Sequence, residues 1–116
     1  MQGSTKAHCP ASRAIARIHQ PRQAALALAR VEAEQGNTTA AVQDLELARQ
    51  RARRDGDTEA LREVATVAEE IGDLMAKRGQ EPEAEDSWSV AYGVFLELED
   101  RTAVKRLRDK FARVRR

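Results

Sequence analysis

The chain has 116 residues and a mass of 12.9 kDa, enough for one hydrophobic core and too little for two. Apolar residues make up 41% and aromatics only 3%, and alanine dominates the apolar set, so the core must come from close packing of small residues between helices, which excludes a β-sandwich or barrel. Lys plus Arg number 20 against 19 Asp plus Glu, a net charge of +1, so there is no overall polyanion-binding excess, and no run of about 18 apolar residues is present to span a membrane.

The near-neutral total hides segregated charge. Residues 1–54 carry +5, residues 55–100 carry −11 and residues 101–116 carry +7. Such a pattern acts between elements of the chain, between copies, or on a partner. Residues 1–11 read as a disordered tail, and residues 12–116 as one helical domain. The tail has no apolar middle region of the kind a secretory signal needs, and Cys9 is the single cysteine. Together these predict a reducing, cytoplasmic setting.

In chain order, Ser12 to His19 reads as a short helical piece interrupted at Pro21. Periodic apolar residues then predict helices over 22–35, 38–54, 57–78, 82–97 and 101–115. Gly36 and Gly79 fall just past apolar-periodic segments, where a helix cap needs a left-handed residue. The next helices open at Asn37 or Thr38 and at Glu81 with Pro82, while Asp57 and Asp100 are good N-caps and Gly56 is a helix stop. Short connections make neighbouring helices antiparallel. Gly93 lies inside a helix, where it either admits a close neighbour or weakens the helix by about 1 kcal/mol. Trp88 and Phe95, seven apart on the same face as Ala84 and Ala91, read as core filling.

The chain also matches itself at an offset of 43. Gly36 aligns with Gly79, Ala41 with Ala84, Leu45 with Trp88, Ala48 with Ala91, Asp57 with Asp100 and Ala60 with Ala103. Apolar positions follow in threes, as in Ile18, Leu61 and Val104. The segments from Ala33 to Ala48 and from Ala76 to Ala91 resemble the central turn and second helix of a tetratricopeptide repeat. A glycine closes the first helix, an alanine follows five residues on, a large residue four later and an alanine three after that. Gly36, Ala41, Leu45 and Ala48 fit, as do Gly79, Ala84, Trp88 and Ala91, and Ile71-Gly72 matches the family's Leu-Gly pair. The period exceeds the family's usual 34 or so. It resembles the longer variety of bacterial signalling ATPases and transcription regulators, and Glu97-Leu98-Glu99-Asp100-Arg101 is similar to their Glu-Leu-Gly-Asp-Arg linkers.

The resemblance implies an all-α array of antiparallel helix-turn-helix repeats, an α-solenoid fragment with repeats over about 22–56 and 57–99 and a final helix at 101–115. Arrays usually need about three repeats for stability. The expectation is therefore a piece of a longer array or a chain that self-associates. The resemblance further implies a scaffold that binds a peptide or helix of a partner protein. The groove would be lined by Gln23, Leu26, Arg30 and Glu34, then Thr66, Glu69, Asp73 and Lys77, with Asp109 and Arg116 following. Arg30 and Asp73 replace the asparagines with which the chaperone-tail subclass clamps a terminal carboxylate, so that ligand is not expected.

No catalytic constellation accompanies this pattern. His8 and His19 are too far apart in sequence to form a helical metal pair, nothing near Cys9 would lower its thiol pKa, and no glycine-rich phosphate loop occurs. The expectation is a non-enzyme without cofactor or metal. The strongest rival signal is the last helix. Arg101, Lys105, Arg106, Arg108, Lys110, Arg113, Arg115 and Arg116 surround an apolar stripe of Val104, Leu107, Phe111 and Val114. Such a helix suits phosphates, an acidic membrane surface or an acidic partner. Against these stands a solvating cap whose stripe packs on the previous helix pair with its basic face on the acidic middle segment, and the rival function is a nucleic-acid-contacting accessory domain.

Overall fold

The computed structural model describes residues 22–115. The expected helical piece at 12–19, the tail at 1–11 and Arg116 lie outside the described residues. Among the described residues five α-helices follow one another: α1 (Arg22–Glu34), α2 (Thr38–Arg54), α3 (Thr58–Lys77), α4 (Glu81–Glu97) and α5 (Arg101–Val114). There is no strand among the described residues. The helix ends match the predicted spans to within a residue, because each is written into the local chemistry of its cap.

All four connections use the same cap. The second residue past each helix, just beyond its C-cap, is left-handed, with φ of 87° at Gly36, 64° at Gly56, 76° at Gly79 and 59° at Glu99. In each, the following N–H reaches back to a carbonyl in the helix's last turn: Asn37 to Glu32, Asp57 to Ala52, Gln80 to Met75 and Asp100 to Phe95, at 2.8–3.1 Å. This is the Schellman arrangement, which satisfies carbonyls the helix leaves unpaired. Glycine adopts it without strain, so Glu99 is the exception, standing 43 residues after Gly56. The expected N-caps form at Asp57, which accepts from the Ala60 N–H at 3.0 Å, and at Asp100, which accepts from the Ala103 N–H at 3.1 Å. Asn37 is an N-cap by position but its side chain makes no capping bond.

Sequential helices pack pairwise, most extensively α3 with α4 and α1 with α2, while α1 also lies against α3 and α2 against α4. The core is a continuous seam of alanines, Ala29, Ala33, Ala41, Ala48, Ala65, Ala68, Ala84 and Ala91, with Leu45, Met75, Trp88, Val94 and Leu107 filling the wider gaps. Small residues let the backbones approach, and dispersion over that close contact supplies much of the cohesion. The tightest approach is at Gly72, where an added Cβ would fall within 3.0 Å of Cδ1, Nε1 and Cγ of Trp88. The Trp88 ring is fixed there. It is 3% exposed, its indole N–H donates to Asp73 Oδ1 at 3.1 Å, and it meets Phe111 edge-on at 5.8 Å between centroids. The Ser87 hydroxyl adds a buried bond to the Ala68 carbonyl at 2.7 Å. By contrast nothing lies within 4 Å of a Cβ at Gly93, so that glycine serves no close approach.

Candidate functional site

The eight residues nominated for a groove on α1 and α3 separate into two groups. Gln23, Arg30, Glu34, Thr66, Asp73 and Lys77 are exposed. Leu26 is a core residue at 3% exposure and Glu69 is buried, so these two stand beneath the surface instead of lining it. The cause is packing: Leu26 points into the alanine seam, and α5 lies across Glu69. Arg30 and Glu34 flank a shallow cleft of about 200 Å³ over Ile71 and Leu74, with Arg30 held to Glu70 at 2.7 Å. Asp73 and Lys77 line a separate cleft of about 430 Å³ floored by Trp88 and Val114 and bordered by Lys110 and Arg113.

The link between α3 and α5 is ionic. Arg106 donates to both carboxylate oxygens of Glu69, at 2.7 and 2.8 Å. Lys110 donates to Glu69 at 2.7 Å and to Asp73 at 2.8 and 3.0 Å. The Glu69 side chain retains only 9% exposure and Lys110 17%. Burial alone would push the Glu69 carboxyl up, but the bonds and charges of Arg106 and Lys110 outweigh it and hold the group below its usual value. The same carboxylate holds the Arg106 guanidinium above its ordinary value. Glu69 is thus a charged, satisfied hinge pin of the fold, a role that sequence reasoning missed. The signal for it was present in the acidic middle segment facing a basic last helix.

Of the eight cations of the alternative basic surface, Arg116 lies outside the described residues, and the other seven divide according to which flank of the apolar stripe they occupy. Val104 and Leu107 are buried, and Phe111 and Val114 partly so. On one flank Arg106 and Lys110 are committed to α3, with Arg113 beside them at the cleft over Trp88. On the other flank, at positions 101, 105, 108 and 115, stand Arg101, Lys105, Arg108 and Arg115. Arg108 donates to the Tyr92 hydroxyl at 3.3 Å, and Arg115 reaches Glu85 at 3.4 Å while covering the Phe111 ring. Arg101 and Lys105 have no side-chain partner among the described residues. They border a cleft of about 640 Å³ over Leu96 and Val104 with Glu99 and Arg108 at its edge.

Two further ties hold the hairpins together and were not foreseen. The Arg78 guanidinium donates to the Ala33 and Glu34 carbonyls at 2.9 and 2.8 Å, closing the C-terminal end of α1 from the end of α3. Arg53 grips Glu97 through both oxygens, at 2.6 and 3.2 Å, joining the ends of α2 and α4. Among the described residues no group of His, Cys, Asp and Glu is arranged to hold a metal ion, and no helix is long and apolar enough to cross a membrane. His8, Cys9 and His19 lie outside the described residues. Comparison of the chain with protein-family models, with curated proteins and with solved structures finds no match.

Proposed function

We propose that the chain is a helical-repeat module of the tetratricopeptide type, a non-catalytic scaffold that binds a peptide or helix of a partner protein in a bacterial regulatory or assembly setting in the cytoplasm. One observation carries this reading. The same cap recurs 43 residues apart at Gly36 and Gly79 and again at Gly56 and Glu99, while the first helices of the two hairpins, α1 and α3, lie side by side, as do α2 and α4. Stacked hairpins of this kind present one helix of each pair on a shared face, and such faces serve as recognition surfaces for extended or helical peptides. That face offers mixed charge over a thin apolar floor: Arg30, Glu34 and Glu70 over Leu74, then Asp73 and Lys77 beside Trp88.

The test is affinity capture from lysate of the source cells, with nuclease treatment in one half and with the variant Glu34→Lys combined with Lys77→Glu as control. Both side chains are exposed, so their reversal leaves the fold intact. The reading expects a protein that survives nuclease and is lost with the double variant. Capture that disappears with nuclease supports instead the nucleic-acid reading through the unpaired cations of α5. A steep loss of binding between low and moderate salt would accompany it.

A further inference from the structure

The flank of α5 that carries Arg101, Lys105 and Arg108 is built to receive a helix, and its chemistry specifies what kind. At an offset of 43, Arg101, Lys105 and Ala112 of this flank correspond to Thr58, Arg62 and Glu69, the side of α3 that meets α5 through Arg62 with Asp100 and Glu69 with Arg106 and Lys110. Arg108 stands in the register of Ala65, Phe111 in that of Ala68 and Arg115 in that of Gly72. In α3 these positions are buried small residues, of which Gly72 admits the Trp88 ring. In α5 the same surface holds cations around exposed apolar area. Leu96 is 49% exposed and shares its cleft with the buried Val104, the half-buried Phe111 lines a separate cleft beside Arg108 and Arg115, and Arg101 and Lys105 have no side-chain partner among the described residues.

We propose that this flank docks an acidic amphipathic helix of a partner protein, which lies along α5 with apolar side chains over Leu96 and Val104 and carboxylates on Arg101, Lys105 and Arg108. This proposal rests on the scaffold reading above and assigns it a second surface, distinct from the α1–α3 face. The arginines at 108 and 115 forbid the close backbone approach that Ala65 and Gly72 permit. The docked helix therefore stands further out and bridges the gap with charged groups, whose complementarity sets orientation and partner choice. Like charge excludes the chain's own residues 1–21, which include Lys6, Arg13 and Arg17 and no Asp or Glu. A phosphate backbone fits less well, because it leaves Leu96 uncovered.

The test uses the full chain, labelled with nitrogen-15, and three probes: a synthetic helical peptide with a leucine stripe flanked by glutamates, the same peptide with glutamine for glutamate, and a short DNA duplex. The glutamate peptide is expected to move the amide signals of residues 96–112 selectively, and the glutamine peptide to bind far more weakly. Arg101→Glu with Lys105→Glu should lower affinity about tenfold or more, on the scale of losing and reversing two surface ion pairs, with helicity unchanged. Failure of the glutamate peptide to bind overturns the proposal. Shifts confined to Arg30, Asp73 and Lys77 also overturn it while leaving the scaffold reading in place. DNA binding at the same amides with equal or greater affinity overturns both in favour of nucleic acid. Signals at 96–112 that move with protein concentration alone, with a doubled mass in light scattering, assign the surface to a second copy.

Discussion

Gly72 and Gly93 both lie inside helices, yet replacing each with alanine should change stability in opposite directions. Helix propensity alone favours alanine by about 0.8–1 kcal/mol at either site. At Gly93 the new methyl meets nothing within 4 Å, so the full gain is expected. At Gly72 the methyl would fall within 3.0 Å of three atoms of the Trp88 ring. The ring cannot swing aside cheaply, being buried, bonded to Asp73 at 3.1 Å and set against Phe111. Relief requires α3 and α4 to separate along their most extensive contact, an overpacking penalty of about 1–3 kcal/mol and at the upper end here. The net expectation for Gly72→Ala is a loss of about 1–2 kcal/mol, or a fall in Tm of roughly 4–16 °C for a domain of this size. Urea unfolding followed by circular dichroism measures both variants, and the fluorescence of Trp88, the single tryptophan, reports directly on the ring. A Gly72→Ala protein as stable as Gly93→Ala, with unaltered Trp88 emission, would refute the account of the α3–α4 seam.

Three other perturbations test separate parts of the structure. Glu99→Gly should stabilise the protein by about 0.5–1 kcal/mol by relieving a left-handed residue, and Gly56→Ala should destabilise it by a similar amount; thermal melts of the pair check both signs. Because the folded-state pKa of Glu69 lies below its unfolded value, its contribution to stability is complete above the unfolded carboxyl range, near pH 4.3, and is lost as pH falls through the folded value. Unfolding free energies from pH 7 to pH 3 should therefore fall less steeply for Glu69→Gln than for the parent, and parallel curves would show that Arg106 and Lys110 do not hold the carboxylate. Arg78→Ala should leave the Ala33 and Glu34 carbonyls to water, loosening the end of α1 by about 1 kcal/mol, seen as faster amide exchange over residues 31–37 with little change in α4.

The helix boundaries were legible because they depend on local chemistry: a cap at Gly36 or Asp57 requires only its own neighbours. The left-handed Glu99 carries no such local mark; what exposes it is its register with Gly56 and its place at the glycine of the linker pattern that residues 97–101 resemble. What periodicity could not rank was burial among polar residues on one helix. Glu69 and Asp73 sit one turn apart with the same charge, yet Glu69 is buried and Asp73 exposed, because α5 crosses α3 above the former. Leu26 posed the same problem, since its equivalents at an offset of 43, Glu69 and Ala112, are polar and small. A register that aligns packing positions well still allows a surface residue at one level and a core residue at another, because helix crossing is settled by the whole set of contacts.

The partition of the cations on α5 links this packing to recognition. An amphipathic helix whose basic residues flank a single apolar stripe has two charged edges, and in a folded domain they need not share a fate. Here the edge bearing Arg106 and Lys110 meets carboxylates on α3 and fixes the rotation of α5 about its own axis. That rotation turns Arg101 and Lys105 to the opposite side, beside Leu96 and Glu99, where no carboxylate of the described residues bonds them. The ion pairs at Glu69 therefore act at a distance on the outer edge: weakening them frees α5 to roll and blurs the charge spacing along positions 101, 105 and 108. Glu69→Gln should accordingly weaken binding of the glutamate peptide although Glu69 never touches it, and the deficit should be larger in kon for a charge-steered encounter if the cations merely disperse, larger in koff if the docked geometry itself is lost.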